Sequence, residues 1–186
     1  GIWRLRIFAV NFSTGSAVYG SARFLILRGR KDMKLIIAEK PSLARNIVEG
    51  IQSFEQYKMK RHDGYYEGGD YIVTWAFGHL FSLCDVEDYT DTPAGSSKWT
   101  MDSIPFFPSE FRFRLRRDAS GNTDPGIEKQ FDNLCRLCNR DDVDAVINAG
   151  DADREGEIIV RLCIRNALRT EKPLFRLWLP DQTVQT

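Results

Sequence analysis

The stretch Val143 to Glu157 reads Val-Asp-Ala-Val-Ile-Asn-Ala-Gly-Asp-Ala-Asp-Arg-Glu-Gly-Glu, and its two halves have different characters. Val143 to Asn148 is mostly apolar and β-branched, the pattern of a strand in a buried sheet. Acids then fall at Asp151, Asp153, Glu155 and Glu157. Asp151 and Asp153 stand two apart, so in an extended segment both side chains leave the same side. Glu155 comes next as the chain turns into a helix. Carboxylates this close repel one another, which costs stability unless a cation lies between them. Oxygen-only ligands select a hard ion, and a few carboxylates with room for water suit Mg²⁺. Gly150 and Gly156 let the backbone approach closely at each end. The ordinary alternative is a set of acids at a helix N-terminus, where the dipole favours them. The order Asp-x-Asp-x-Glu-Gly directly after an apolar strand favours the metal. An EF-hand is excluded, because its fifth position would be Glu155 and its twelfth Leu162.

Outward from this stretch the punctuation is regular. Leu35-Ile36-Ile37-Ala38 is an unbroken apolar run, expected as a strand buried on both faces. Pro41 opens a helix in which Leu43, Ile47, Val48 and Ile51 recur at helical spacing. Tyr65-Tyr66-Glu67 and Tyr71 to Trp75 read as a hairpin closed by Gly68-Gly69. A long irregular stretch runs from Cys84 to Gly126, carrying Trp99 and Phe106-Phe107-Pro108. After it come a helix near 127–139, the strand at Val143, a helix near 154–168 and a last strand around Leu174 to Leu179. Strands alternating with helices predict a mainly parallel α/β sheet.

In such a sheet, ligands collect beyond the carboxyl ends of the strands. The first strand ends in Glu39-Lys40-Pro41-Ser42. An acid there is often only a helix start. If the first strand is central, Glu39 faces Asp151 and Asp153, as a general acid/base or a further metal ligand. Lys40 then supplies positive charge to a phosphate; without that topology it is a solvated lysine. Gly78-His79 comes after the hairpin, and spacing alone does not separate a structural histidine from a phosphate donor. Arg161, Arg165 and Arg169 form a stripe read as a solvated face, with Glu157 pairing Arg161.

The 186 residues suit one sizeable core and are too few for two ordinary domains. Hydrophobic residues at 42% and charged residues at 28% exclude a disordered or low-complexity chain. Basic and acidic residues number 26 each, yet residues 1–32 carry +5, so the remainder carries −5 and any nucleic-acid contact must be local. Residues 1–32 show no clear period and are set apart as an extension of unknown role, a mis-called start or added residues; the domain proper is 33–186. Arg4 and Arg6 precede an apolar run shorter than a usual signal-peptide core, and no run approaches the roughly 20 residues needed to cross a bilayer. Four cysteines do not make a disulfide framework in a chain this long. Cys135-x-x-Cys138 has no second pair and shares a helical face with Ile127, Phe131 and Leu134, so core cysteines in a soluble, reducing compartment are expected.

Taken together, Leu35 to Ala44, Val73 to Leu80, Lys98-Trp99 with Ile104-Pro105 and Pro108, and Ala149 to Glu157 resemble the Toprim domain of type IA DNA topoisomerases, most closely the topoisomerase III branch. The resemblance runs from Met33 to near the C-terminus. Glu39 with Asp151 and Asp153 is a set shared with primases and some nucleases; Gly78-His79 and the Trp99 segment favour a topoisomerase. The resemblance implies four parallel strands flanked by helices, and a Mg²⁺-dependent, ATP-independent reaction with no nucleotide cofactor and no membrane. A tyrosine attacks one DNA strand, leaving a 5′-phosphotyrosine link and a free 3′-hydroxyl; another strand passes and the break reseals. It implies that Glu39 gives and takes the proton at the leaving 3′-oxygen and lies close to metal. Asp151 and Asp153 bind Mg²⁺ with Glu155 behind them, and Lys40 stabilises the scissile phosphate. His79, Trp99 and Arg154 face DNA, and the setting is the cytoplasm, at the bacterial nucleoid. None of the six tyrosines (Tyr19, Tyr57, Tyr65, Tyr66, Tyr71, Tyr89) matches the family's nucleophile, which belongs to a later domain. The chain is therefore expected to be inert alone and to work with the remaining domains. A free-standing metal-dependent nuclease or phosphotransferase, using water as nucleophile, is the second reading. A non-catalytic nucleic-acid-binding module is the third.

Overall fold

Strand and helix alternate through the computed structural model, which describes residues 7–11, 16–18, 32–89, 105–118 and 120–179. In chain order the elements are β1 (Ile7–Asn11), β2 (Ser16–Val18), β3 (Met33–Ala38), α1 (Pro41–Glu55), β4 (Lys60–His62), β5 (Tyr65–Gly68) and β6 (Tyr71–Trp75). Then come β7 (Phe81–Leu83), a 3₁₀ turn (Val86–Asp88), β8 (Phe113–Leu115), α2 (Pro125–Cys138), β9 (Val143–Ala149), α3 (Arg154–Ala167) and β10 (Leu174–Leu177).

The main sheet has the order β2-β1-β10-β9-β3-β6-β5-β4. Its centre is the expected set of four parallel strands: β10 pairs with β9, β9 with β3 and β3 with β6, all parallel. Their apolar runs are continuous because both faces are covered. Leu35 and Ile37 face the cluster built with Leu134, Leu137, Val160 and Cys163 of α2 and α3. Ile36 and Ala38 face the opposite cluster, with Leu43, Ala44, Ile47 and Val48 of α1. The period-two alternation of one strand thus serves two helical layers. Cys138 and Cys163 lie in the core, and all four cysteines are free.

Antiparallel strands extend both sides of this centre. The Tyr65–Trp75 hairpin forms, but its turn residues are Gly69 and Asp70, one position later than the sequence suggests. Gly68 still pairs with Tyr71, whereas Gly69 has φ +55°, the conformation a tight hairpin turn needs. A further strand, β4, joins through an Asp63-Gly64 turn, a hairpin signal left unread in the sequence. On the other side β1 pairs with β10 and β2 with β1, so part of the stretch set apart from the fold lengthens the sheet.

The described parts of the irregular stretch contain more order than expected. β7 and β8 make a separate two-stranded sheet, with Phe81 opposite Leu115. Arg112 lies over the Tyr89 ring at 4.4 Å, and Arg114 pairs with Asp88. Pro125 and Gly126 already belong to α2, whose N-cap Asp124 accepts from the Gly126 amide at 2.7 Å. No helix among the described residues is long and apolar enough to cross a membrane.

Candidate active site

Three loops leave the carboxyl ends of β3, β6 and β9 on the same rim of the sheet. Parallel register sets Ala38 beside both Trp75 and Ala149, so the segments leaving these strands emerge side by side. The backbone continues this pairing for a residue or two: Ala76 donates to the Ala38 carbonyl at 2.8 Å and Gly78 to that of Glu39 at 3.1 Å.

On this rim the Glu39 carboxylate accepts from the Asp151 amide at 3.2 Å. The Lys40 ammonium donates to the Asp151 carboxylate at 2.6 Å. That hydrogen bond, and the charges of Asp151, Glu39 and Asp153, hold the Lys40 pKa above its ordinary value against the opposing effect of burial. Two loops far apart in sequence therefore form one electrostatic unit. Gly156 makes the approach possible. A Cβ there would sit 2.5 Å from the Asp151 nitrogen and 2.7 Å from the Glu39 carboxylate, and one on Gly150 would collide with the Gly156 carbonyl.

The remaining acids have other partners. Asp153 is the N-cap of α3 and accepts from the Gly156 amide at 2.7 Å. Glu155 is exposed and pairs with His79 Nε2 at 2.8 Å, which brings the Gly78-His79 loop onto the start of α3. Arg154 is exposed on the first turn of that helix, and Trp99 lies outside the described residues. Arg161 pairs with Glu157 at 3.0 Å, as the stripe reading expects. Among the described residues, no three His, Cys, Asp or Glu side chains form a group that could hold a metal ion as they stand. Of the acids read as a metal set, Glu39 accepts from the Asp151 amide, Asp151 pairs with Lys40, Asp153 caps α3 and Glu155 pairs with His79.

Sequence reading missed Arg176 on β10. Its side chain is buried, and Nη1 donates to the carbonyls of Asn148, Gly150 and Leu177 at 3.1, 3.0 and 2.7 Å. Nη2 reaches the Asp151 carbonyl at 2.8 Å, and Nε lies 2.9 Å from Glu157, an ion pair without hydrogen-bond alignment. Glu157 also accepts from Asn148 Nδ2 at 3.0 Å. A guanidinium thus grips the outgoing β9 loop from behind. The signal was available: one arginine between Phe175 and Leu177 in an otherwise apolar strand needs buried partners.

An α/β sheet with acidic loops on one rim defines the class, and comparison with known proteins identifies the family. The Toprim domain family model matches residues 34–179, and the chain belongs to that family. It is 36% identical over 149 residues to a protein named DNA topoisomerase 3 from Bacillus thuringiensis (strain Al Hakam), covering 80% of this chain and 18% of that protein. Proteins of the same name from Bacillus subtilis (strain 168) and Shouchella clausii (strain KSM-K16) are each 33% identical, over 149 and 150 residues. The chain spans 18% of the length of each of these relatives, and its Toprim-matching residues are the part similar to them.

Proposed function

We propose that the chain is the Toprim portion of a type IA, topoisomerase III-like enzyme. The enzyme breaks single DNA strands, passes another strand and rejoins the break, with Mg²⁺ and without ATP. The single observation that supports this reading best is the meeting of Glu39 and Lys40 with Asp151 at the ends of adjacent parallel strands. Glu39, Asp151 and Asp153 would hold Mg²⁺, with Glu155 behind them. The donor set fits, being all carboxylate oxygen, and these acids already gather a positive charge in the Lys40 ammonium. When bound, the ion would neutralise charge around the phosphodiester.

Glu39 delivers a proton to the departing 3′-oxygen as a tyrosine oxygen bonds to phosphorus, and takes it back on rejoining. Lys40 offsets the charge that develops on the phosphate. His79, Trp99 and Arg154 contact DNA. The tyrosine is supplied from outside these residues, since none of the six here matches the nucleophile of the family the chain resembles; burial also raises the pKa of Tyr71 and pushes that of Tyr57 up to about 12. The partners are a single-stranded DNA segment and further domains of the same enzyme, working at the nucleoid in the cytoplasm.

Two measurements test this. Calorimetry should show weak Mg²⁺ binding by the chain, lost when Asp151 and Asp153 are both replaced by Asn. A supercoiled plasmid should stay intact with the chain and Mg²⁺, and be relaxed when this Toprim portion replaces its counterpart in a full-length DNA topoisomerase 3. Nicking by the chain alone would favour water as nucleophile. Robust relaxation by it alone would refute a tyrosine supplied from elsewhere.

A further inference from the structure

The ion pair between Lys40 and Asp151 joins a partly exposed side chain on a long stem to one whose backbone is held on both sides. Asp151 is held through its backbone on both sides, its amide on Glu39 at 3.2 Å and its carbonyl on Arg176 at 2.8 Å. Its side chain is 21% exposed, and that of Lys40 is 41% exposed on a four-carbon stem. Lys40 occupies the N-cap position of α1 with extended backbone and makes no side-chain cap, so its ammonium is not committed to its own helix. One carboxylate therefore faces two claimants, the adjacent ammonium and any divalent ion held by the same acids.

We propose that Lys40 competes with the divalent cation for the Asp151 carboxylate, and that its ammonium turns to a phosphate only after giving that carboxylate up. The inference rests on the metal reading above and adds an order of events to it. A divalent ion brings twice the charge of an ammonium to the oxygen set, so it can take the carboxylate. The released Lys40 ammonium, a cation at neutral pH as any lysine is, can then pair with a phosphate. The site would thus hold its phosphate-binding charge in reserve until metal is present.

The test is Mn²⁺ affinity of the 186-residue chain by calorimetry, without DNA and without any activity readout. Lys40→Met keeps the stem and removes the charge, and should bind Mn²⁺ about two- to tenfold tighter than the parent. Lys40→Arg keeps the charge and should bind no tighter than the parent. Lys40→Gln provides the same neutralisation should the Met variant fold poorly, with circular dichroism as the check on folding. Equal or weaker Mn²⁺ binding by the neutral variants overturns the inference while leaving the metal reading intact. No Mn²⁺ binding by parent or variants removes the metal reading and the inference with it.

Discussion

Arg176 Nη2 donates to the main-chain carbonyl of Asp151 at 2.8 Å, while the Asp151 carboxylate faces Lys40. One residue of the acidic loop is thereby anchored from the core side and presents its charge to the open side. Chemistry that needs a carboxylate in a stated place depends on such an anchor as much as on the carboxylate.

Replacing Arg176 should therefore reach the site through the loop. Arg176→Met leaves its carbonyl partners and Glu157 without their buried cation, at a cost of about 3–5 kcal/mol. Arg176→Lys retains the charge but not the fan of donors and should lose less. Urea denaturation monitored by circular dichroism measures both. A Met variant within about 0.5 kcal/mol of the parent would show that the grip does not matter to stability.

Gly156→Ala tests the close approach of the two loops. The added methyl would meet the Asp151 nitrogen and the Glu39 carboxylate, and neither can retreat without breaking their hydrogen bond. A loss of about 1–3 kcal/mol is expected, together with weaker Mg²⁺ binding. Parental stability and affinity in the alanine variant would mean that the loops do not need this contact.

Asp153 separates capping from metal binding. Asn is as good an N-cap as Asp, so Asp153→Asn should keep the stability of α3 to within a few tenths of a kcal/mol, whereas Asp153→Ala should lose about 1 kcal/mol. Under the metal reading both variants lose Mg²⁺ affinity. If Asp153→Asn binds Mg²⁺ as the parent does, the residue is only a cap, the plain alternative at the helix start.

Acid should loosen the opposite end of the sheet. Arg140 makes a two-pronged contact with Glu67 at 2.9 and 3.0 Å and also grips Asp142. The Arg140 hydrogen bonds hold the Glu67 pKa below its ordinary 4.5, outweighing burial. A group whose folded pKa is depressed stabilises the fold fully above its unfolded pKa and loses that contribution as pH falls through the folded one. Stability should thus begin to fall below about pH 4.5 and keep falling through the depressed folded pKa. Glu67→Gln should be less stable at neutral pH by about 1–3 kcal/mol and show a shallower fall in acid. Parallel pH curves for parent and variant would argue against this pair.

The four central strands and three helices were legible because each signal is local. Leu35 to Ala38 and Val143 to Asn148 are apolar runs bounded by breakers, and α1 begins at a proline. The site was legible in its members Glu39, Lys40, Asp151 and Asp153, and less so in their partners. The Asp153 cap is local, but nothing local says that Asp151 pairs with Lys40 or that Glu155 meets His79, since those partners arrive on loops from other strands. β1, β2 and β8 were invisible for a related reason: short edge strands carry little pattern of their own and form on a neighbour that already exists.

Sequence alone determined which residues could carry charge at the strand ends, because apolar periodicity and loop position are properties of neighbours along the chain. Tertiary structure alone decided which of those charges meet. The parallel register of β3 against β9 brings Glu39 to Asp151 across 112 positions, and Arg176 on β10 fixes the loop between them. Coulomb forces and hydrogen bonds act over a few ångströms of space, so separation along the chain says nothing about them until the sheet has formed.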